Sequence, residues 1–244
     1  MKALILAAGT GSRLKPLTDT TPKALLKAGR YTLLQFAILK LRQFGYTDIM
    51  VNVHHLGQQI IDYIADNKGF GCQVTISDER DQLLDTGGAI KKAAWFFDDG
   101  QPFVVYNADV VCDLDLSLLR QHHIESRNLA TLVVRNRPSG RLLLFDEFMQ
   151  LKEWRNAVTG ERKVAALSNT GLQAFAFSGI HIINPELTSM MEQTSRFSII
   201  DTYLRLAATH PIGALVDHST LWADAGKPES LNEAGRMAEL IHLT

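Results

Sequence analysis

The residues that could do chemistry in this chain gather in a few short strings. The apolar run Ala3-Leu4-Ile5-Leu6-Ala7 breaks at once into Ala8-Gly9-Thr10-Gly11-Ser12-Arg13. Two glycines allow positive φ and close approach of the backbone to a ligand. Thr10, Ser12 and the loop N–H groups can donate to phosphate oxygens, and Arg13, Lys15 and Lys23 add positive charge. A buried strand feeding a glycine loop among cations suits phosphate; the alternative is a tight turn that binds nothing. The loop is neither a dinucleotide fingerprint, because Leu14 stands at the third glycine position, nor a P-loop, because no G-x-x-x-x-G-K-[ST] run occurs. Asp109 closes a second apolar run, 102–106, in Asn107-Ala108-Asp109. A carboxylate beside bound phosphates is placed to hold Mg²⁺, a hard cation that takes oxygen ligands; the alternative is a turn or cap aspartate. Asp224, in Trp222-Ala223-Asp224-Ala225-Gly226, supplies another carboxylate ahead of the last helix.

These strings need a frame, and the hydrophobic pattern predicts one. Apolar runs at 3–7, 48–53, 72–77 and 102–106 read as strands, the first and last apolar enough to be buried on both faces. Between them Leu34, Ile38 and Leu41 recur at helical spacing, with Thr32 as N-cap and Gly45 just past the end. Leu56, Ile60, Ile61 and Ile64 mark a second helix and 88–97 a third. Strand and helix alternating in this way predicts a three-layer α/β fold with a mixed, mostly parallel central sheet. Ligands then collect at the carboxyl ends of the strands, where the glycine loop and Asp109 lie. From about 113 the pattern changes: a helix begins at 115–119, strands follow at 129–135, 141–145, 150–154 and 173–183, and 155–168 reads as a loop or loose hairpin. Helices at 185–191 and 199–208, short strands at 211–216 and 221–223, and a last helix with Pro228 at its first position complete the chain. The expected organisation is one domain over 1–244, in two halves, 1–111 and 112–244.

Composition excludes several classes. A formal net charge of −1 over 244 residues argues against bulk nucleic-acid or membrane-surface binding. No apolar run approaches the roughly 20 residues of a membrane helix, and the N-terminus runs straight into a strand without a secretory pattern. The expectation is a cytoplasmic protein with no nucleic-acid or membrane partner. Cys72 and Cys112 lack metal spacing and are expected to stay reduced. The pairs His54-His55 and His122-His123 put neighbouring side chains on different sides, so a surface or loop role is expected for them.

The longer string, from Leu6 to Leu14 with Pro16-Leu17-Thr18 and Thr21-Pro22-Lys23, closely resembles the signature of the sugar-1-phosphate nucleotidyltransferases, the NDP-sugar pyrophosphorylases. The resemblance extends from Lys2 to about Glu233 and implies a nucleotide-binding half at 1–111 and a sugar-phosphate-binding half at 112–244. It implies the nucleotide-diphospho-sugar transferase fold and an NTP and a sugar 1-phosphate as substrates, with an NDP-sugar and pyrophosphate as products, for nucleotide-sugar and cell-envelope polysaccharide synthesis. It also implies roles. Leu6, Ala7, Ala8, Gly9, Thr10 and Gly11 bind the nucleotide, as do Thr86, Gly87 and Gly88, whose backbone approaches the base. Arg13 and Lys23 act on the reacting phosphates. Asn107, Ser178 and Gly179 line the sugar pocket, and Asp109 and Asp224 hold Mg²⁺. Two departures stand out: Ala108 replaces a glycine common in the first aspartate motif, and no E-K-P tripeptide supplies a lysine for the sugar phosphate. Arg155, Arg162 or Lys163 are the candidate substitutes. Within the family the chain looks most like N-acetylmuramate-1-phosphate uridylyltransferases, with mannose- and heptose-1-phosphate guanylyltransferases nearly as close; UTP or GTP is the expected donor.

Two other classes compete. A glycosyltransferase of the related fold would use Asp113-Leu114-Asp115 to hold a metal and a nucleotide diphosphate, although those residues also suit a helix N-cap. A non-catalytic nucleotide-sugar-binding protein would keep the fold and lose turnover. The loop with Arg13 and Pro22-Lys23 argues against the first, and Arg13, Lys23, Asp109 and Asp224 together argue against the second.

Overall fold

In the computed structural model, residues 1–167, 171–192 and 195–243 are described. The first strand, β1 (Lys2–Leu6), lies inside the sheet, paired along both edges. Its side chains alternate between two cores: Ala3 and Ile5 face one, Leu4 the other. A strand apolar at every position needs such two-sided cover. After a run of short 3-10 turns come a small ribbon, β2 (Lys27–Ala28) and β3 (Tyr31–Thr32), and helix α1 (Leu33–Gln43). The Thr32 side chain accepts from the Gln35 N–H at 3.0 Å, and Gly45 takes φ +80° past the helix end, both as expected.

Next come β4 (Asp48–Val53), α2 (Gly57–Asp66), β5 (Gln73–Asp78), α3 (Asp85–Ala93), β6 (Phe103–Asn107) and β7 (Val110–Cys112). Strands β5, β4, β1 and β6 lie side by side in that order, all parallel. The two helical layers follow from the sheet's alternation. Leu34, Ile38, Ile60 and Ile64 of α1 and α2 pack with Ile5 and Val51, whereas Ile90 and Ala93 of α3 pack with Leu4 and Met50.

The second half comprises α4 (Leu116–Ser126), β8 (Ala130–Arg135), β9 (Arg141–Phe145), β10 (Leu151–Asn156), β11 (Arg162–Val164) and β12 (Gln173–Ile183). It ends with α5 (Glu186–Ser189), α6 (Ile199–Leu206), β13 (Ile212–Val216), β14 (Trp222–Asp224) and α7 (Pro228–Leu240). The long β12 joins the halves, running antiparallel to β6, β8 and β9. The polar stretch at 155–168 resolves into a hairpin, β10 against β11; its last residue, Ser168, lies outside the described residues. A separate ribbon pairs β14 with β7, placing Asp224 opposite Val110. α7 covers this ribbon through Leu231, Ala234 and Ala238, which pack on Val111, Ala223 and Leu14. The ribbon was not legible as such: β7 is too short to stand out from the apolar run before it.

The histidine expectation fails at one position. His123 is buried, with Nδ1 2.9 Å from Thr131 Oγ1 and Nε2 3.3 Å from Asn184 Oδ1. Among the described residues no helix is long and apolar enough to cross a membrane.

Candidate active site

The glycine loop, the end of β6 and the start of α3 enclose a cavity of about 310 Å³ at the carboxyl edge of the parallel strands. Leu6, Ala7, Ala8, Gly9, Thr10, Lys23, Thr86, Asn107 and Asp109 line it. A second cavity, of about 270 Å³, adjoins it through Asn107 and is lined by Ser178, Gly179, Trp222 and Asp224. The tertiary structure thus brings together, from five separate stretches, most of the residues singled out in the sequence.

Pairing of β7 with β14 creates the junction between the cavities. The Ala225 N–H donates to the Asp109 carbonyl at 2.9 Å, which holds the Asp109 and Asp224 loops together. Lys23 Nζ is ion-paired with Asp109 Oδ2. Asp224 Oδ1 is buried and has no hydrogen-bond partner. Burial raises the Asp224 pKa and the charge of Asp109 raises it further, while Lys23, Arg13 and Arg137 pull it back. Two neighbouring carboxylates, one with an orphaned oxygen facing low-dielectric surroundings, form the donor set a hard divalent cation satisfies. Among the described residues no cluster of three or more His, Cys, Asp and Glu could hold a metal alone, so such an ion would need oxygens from a ligand as well. Gly226 keeps Arg13 near: a Cβ there would lie 2.8 Å from Arg13 Nη2 and 2.8 Å from Asp224 Oδ1.

Not every loop group is free to meet a nucleotide. Asn52, at the end of β4, accepts from the N–H groups of Ala7 at 2.6 Å and Ala8 at 3.2 Å. Its Nδ2 donates to Glu79 Oε1 at 2.8 Å, and Glu79 Oε2 accepts from the Leu84 N–H at 3.1 Å. Glu79 is 1% exposed, and burial raises its pKa against the pull of those hydrogen bonds. Asn52 and Glu79 therefore brace the glycine loop against the turn that opens α3. Both line the first cavity, as does Arg196. The sequence held one signal for this brace, the polar Asn52 within the apolar run 49–53.

The glycines of these segments also admit close packing. A Cβ on Gly87 would meet the Phe197 ring at 2.3 Å, and one on Gly88 would meet the Ser195 carbonyl at 3.0 Å. The Gly87 N–H donates to the Phe197 carbonyl at 2.9 Å. These two positions admit residues 195–197, and of the segment Thr86 lines the cavity. Gly11, at φ +63°, packs on Thr18 and Lys23, whereas a Cβ on Gly9 would meet nothing within 4 Å. Gly179, at φ +84°, sits where the β12–β8 register shifts, and a Cβ there would lie 2.9 Å from Asn107 Nδ2. Ser178 donates through Oγ to the Val133 carbonyl at 2.8 Å.

The sequence alternatives for the acceptor cation are all engaged elsewhere. Arg155 and Arg162 both pair with the buried Glu153, and Lys163 pairs with Asp201 at 2.9 Å. The D-x-D is engaged as well: Asp115 Oδ1 caps α4 by accepting from the Ser117 N–H at 2.7 Å, and Asp113 Oδ1 accepts from the Leu221 N–H at 3.2 Å.

The nucleotidyl transferase family model matches residues 2–141. This chain belongs to that family. Within it the chain is a sugar-1-phosphate nucleotidyltransferase, the group its signature resembles. It is 32% identical over 244 residues to the N-acetylmuramate alpha-1-phosphate uridylyltransferase of Neisseria meningitidis serogroup B, covering 98% of each chain. It is 30% identical over 244 residues to the UTP–glucose-1-phosphate uridylyltransferase of a Synechocystis strain, covering 93% of this chain and 60% of that protein. Among solved structures, UDP-glucose pyrophosphorylase complexed with UDP-glucose shares the fold, with a TM-score of 0.77, 19% identity and 98% of both chains covered.

Proposed function

We propose that this enzyme uses UTP as donor and N-acetylmuramate 1-phosphate as acceptor, with the nucleotide in the first cavity and the sugar phosphate in the second. The relatives named above both carry a uridylyl name, and the one matched along its whole length acts by name on the muramate phosphate. The observation that carries the arrangement is the junction of the two cavities, where Lys23, Asp109 and Asp224 meet.

An oxygen of the sugar phosphate attacks the α-phosphorus, the bond to the bridging oxygen breaks, and pyrophosphate leaves with its electron pair. No protein nucleophile is needed; the residues position two anions and offset their repulsion. Lys23 sits at the junction, where the α-phosphate and the incoming phosphate meet. Arg13, held beside Gly226, serves the triphosphate and the leaving pyrophosphate. The Asn52–Glu79 brace fixes the loop under the nucleotide, Asn107 lines both cavities, and Gly179 lines the second. Asp109 and Asp224 would hold Mg²⁺, which supplies charge neutralisation between phosphates when bound.

Pyrophosphate release with Mg²⁺, measured over a grid of NTPs and sugar 1-phosphates, tests this reading. The expected result is release that needs UTP and N-acetylmuramate 1-phosphate together. Release with GTP and mannose 1-phosphate alone would overturn the choice of substrates and leave the reaction class standing.

A further inference from the structure

The second cavity poses an electrostatic problem. It has to receive a dianionic phosphate, yet its inner end carries the Asp224 carboxylate. Of the cations on β8 to β11 and their connections, Arg135 pairs with Asp217, Lys152 with Asp146, Arg155 and Arg162 with Glu153, and Lys163 with Asp201. Arg137 and Arg141 form no ion pair there among the described residues. Arg141 is exposed at the cavity wall, whereas Arg137 is half-buried against two residues of that wall, Phe177 and Trp222, without lining the cavity itself.

We propose that Arg137 is the residue that grips the 1-phosphate of the acceptor, in the place for which the sequence offered Arg155, Arg162 or Lys163. The inference rests on the proposed function of this site. The Arg137 guanidinium lies over the Trp222 ring, 4.3 Å from its centroid, two residues from Asp224 along β14. Its Nη2 donates to the Phe177 carbonyl at 3.1 Å, which fixes the plane of the fork against the wall of the cavity. Its Nε is buried without a partner. A half-buried cation with an unmet donor and no carboxylate of its own is costly unless a ligand supplies the negative charge. A phosphate does so through charge-assisted hydrogen bonds, and the fork suits its oxygens better than an ammonium does. Burial tends to lower the Arg137 pKa and Asp224 tends to raise it, while the guanidinium stays charged at any working pH. Arg135, 5.8 Å from the centroid of the Trp222 ring, is tied to Asp217.

The test compares Arg137→Met, Arg137→Lys, Arg141→Ala and Lys163→Ala with the unaltered enzyme. It reads KM for each substrate by pyrophosphate release and the Kd of N-acetylmuramate 1-phosphate by calorimetry. Arg137→Met is expected to raise KM and Kd for the sugar phosphate by roughly ten- to a hundredfold and to move KM for UTP less than about twofold. Arg137→Lys is expected to recover part of the loss, which a purely structural role through the Trp222 stack would not. Lys163→Ala is expected to leave both substrates unaffected. The inference is overturned if the sugar-phosphate affinity survives Arg137→Met, if UTP affinity falls in parallel with it, or if Arg141→Ala takes the loss instead. An unaltered enzyme that binds and uses no sugar 1-phosphate would sink the reading of the function itself, a result distinct from turnover that Arg137→Met leaves intact.

Discussion

At the scale of single residues, the site depends on groups that hold other groups. Asn52 is the clearest case, because one side-chain oxygen satisfies two loop N–H groups and its amide feeds a buried carboxylate. Asn52→Ala leaves two N–H groups and Glu79 short of partners in a site that is 3% exposed at Asn52 and 1% at Glu79. The expected cost is about 1–3 kcal/mol of stability, with a rise in KM for the NTP larger than the rise for the sugar phosphate. Denaturant unfolding and substrate kinetics check this; equal rises for both substrates would remove the loop-specific role. None of this was visible from Leu6 to Gly11 alone, since nothing in those letters says where the loop N–H groups point.

At the scale of elements, the β7–β14 ribbon and α7 position the second carboxylate. α7 approaches the β2–β3 ribbon at Gly235, where a Cβ would lie 2.9 Å from the Gly29 backbone nitrogen. Backbone yields less than a flexible side chain does, so Gly235→Ala should push the helix outward. We expect a loss of about 1–3 kcal/mol, seen as a lower Tm, together with a lower kcat because α7 leads directly from Asp224. An unchanged kcat at lowered Tm would show that the ribbon holds Asp224 without α7. The helix itself was readable from Pro228 and the spacing of Leu231, Ala234 and Ala238, but its partner was not. Short two- or three-residue strands carry no period, and their pairing is decided by chain segments about a hundred residues apart.

At the scale of the whole molecule, the halves are joined by β12, and its core face carries a titratable group. His181 is 1% exposed, its Nδ1 lies 2.8 Å from Tyr203 Oη, and burial pushes its pKa down to about 3. In the unfolded chain a histidine takes its proton near pH 6.5. Between those values the unfolded state binds more protons than the folded one, so stability is full above about pH 6.5 and falls as the pH drops towards about 3. The slope from this residue is at most about 1.4 kcal/mol per pH unit. His181→Gln, which keeps an acceptor for Tyr203, should lower stability at neutral pH and flatten that acid limb; an unflattened limb in unfolding curves across this range would assign the acid sensitivity to other groups.

The sequence by itself determined the three-layer frame, because strands apolar at every position need cover on both faces and helical periodicity supplies it. It also marked the candidate site residues at the strand ends, since the glycine loop, Lys23, Asp109 and Asp224 are recognisable as strings of letters. Tertiary structure alone decided which of those groups meet and which cations remain free. Gly87 and Gly88 read as openings for a base and also admit residues 195–197; Arg155, Arg162 and Lys163 looked available and are paired with Glu153 and Asp201; Arg137, which has no motif around it, forms no ion pair among the described residues and touches Phe177 and Trp222 of the second cavity's wall. The physical reason is that the partners competing with a ligand for a charge come from distant parts of the chain and are set by packing, not by spacing along it.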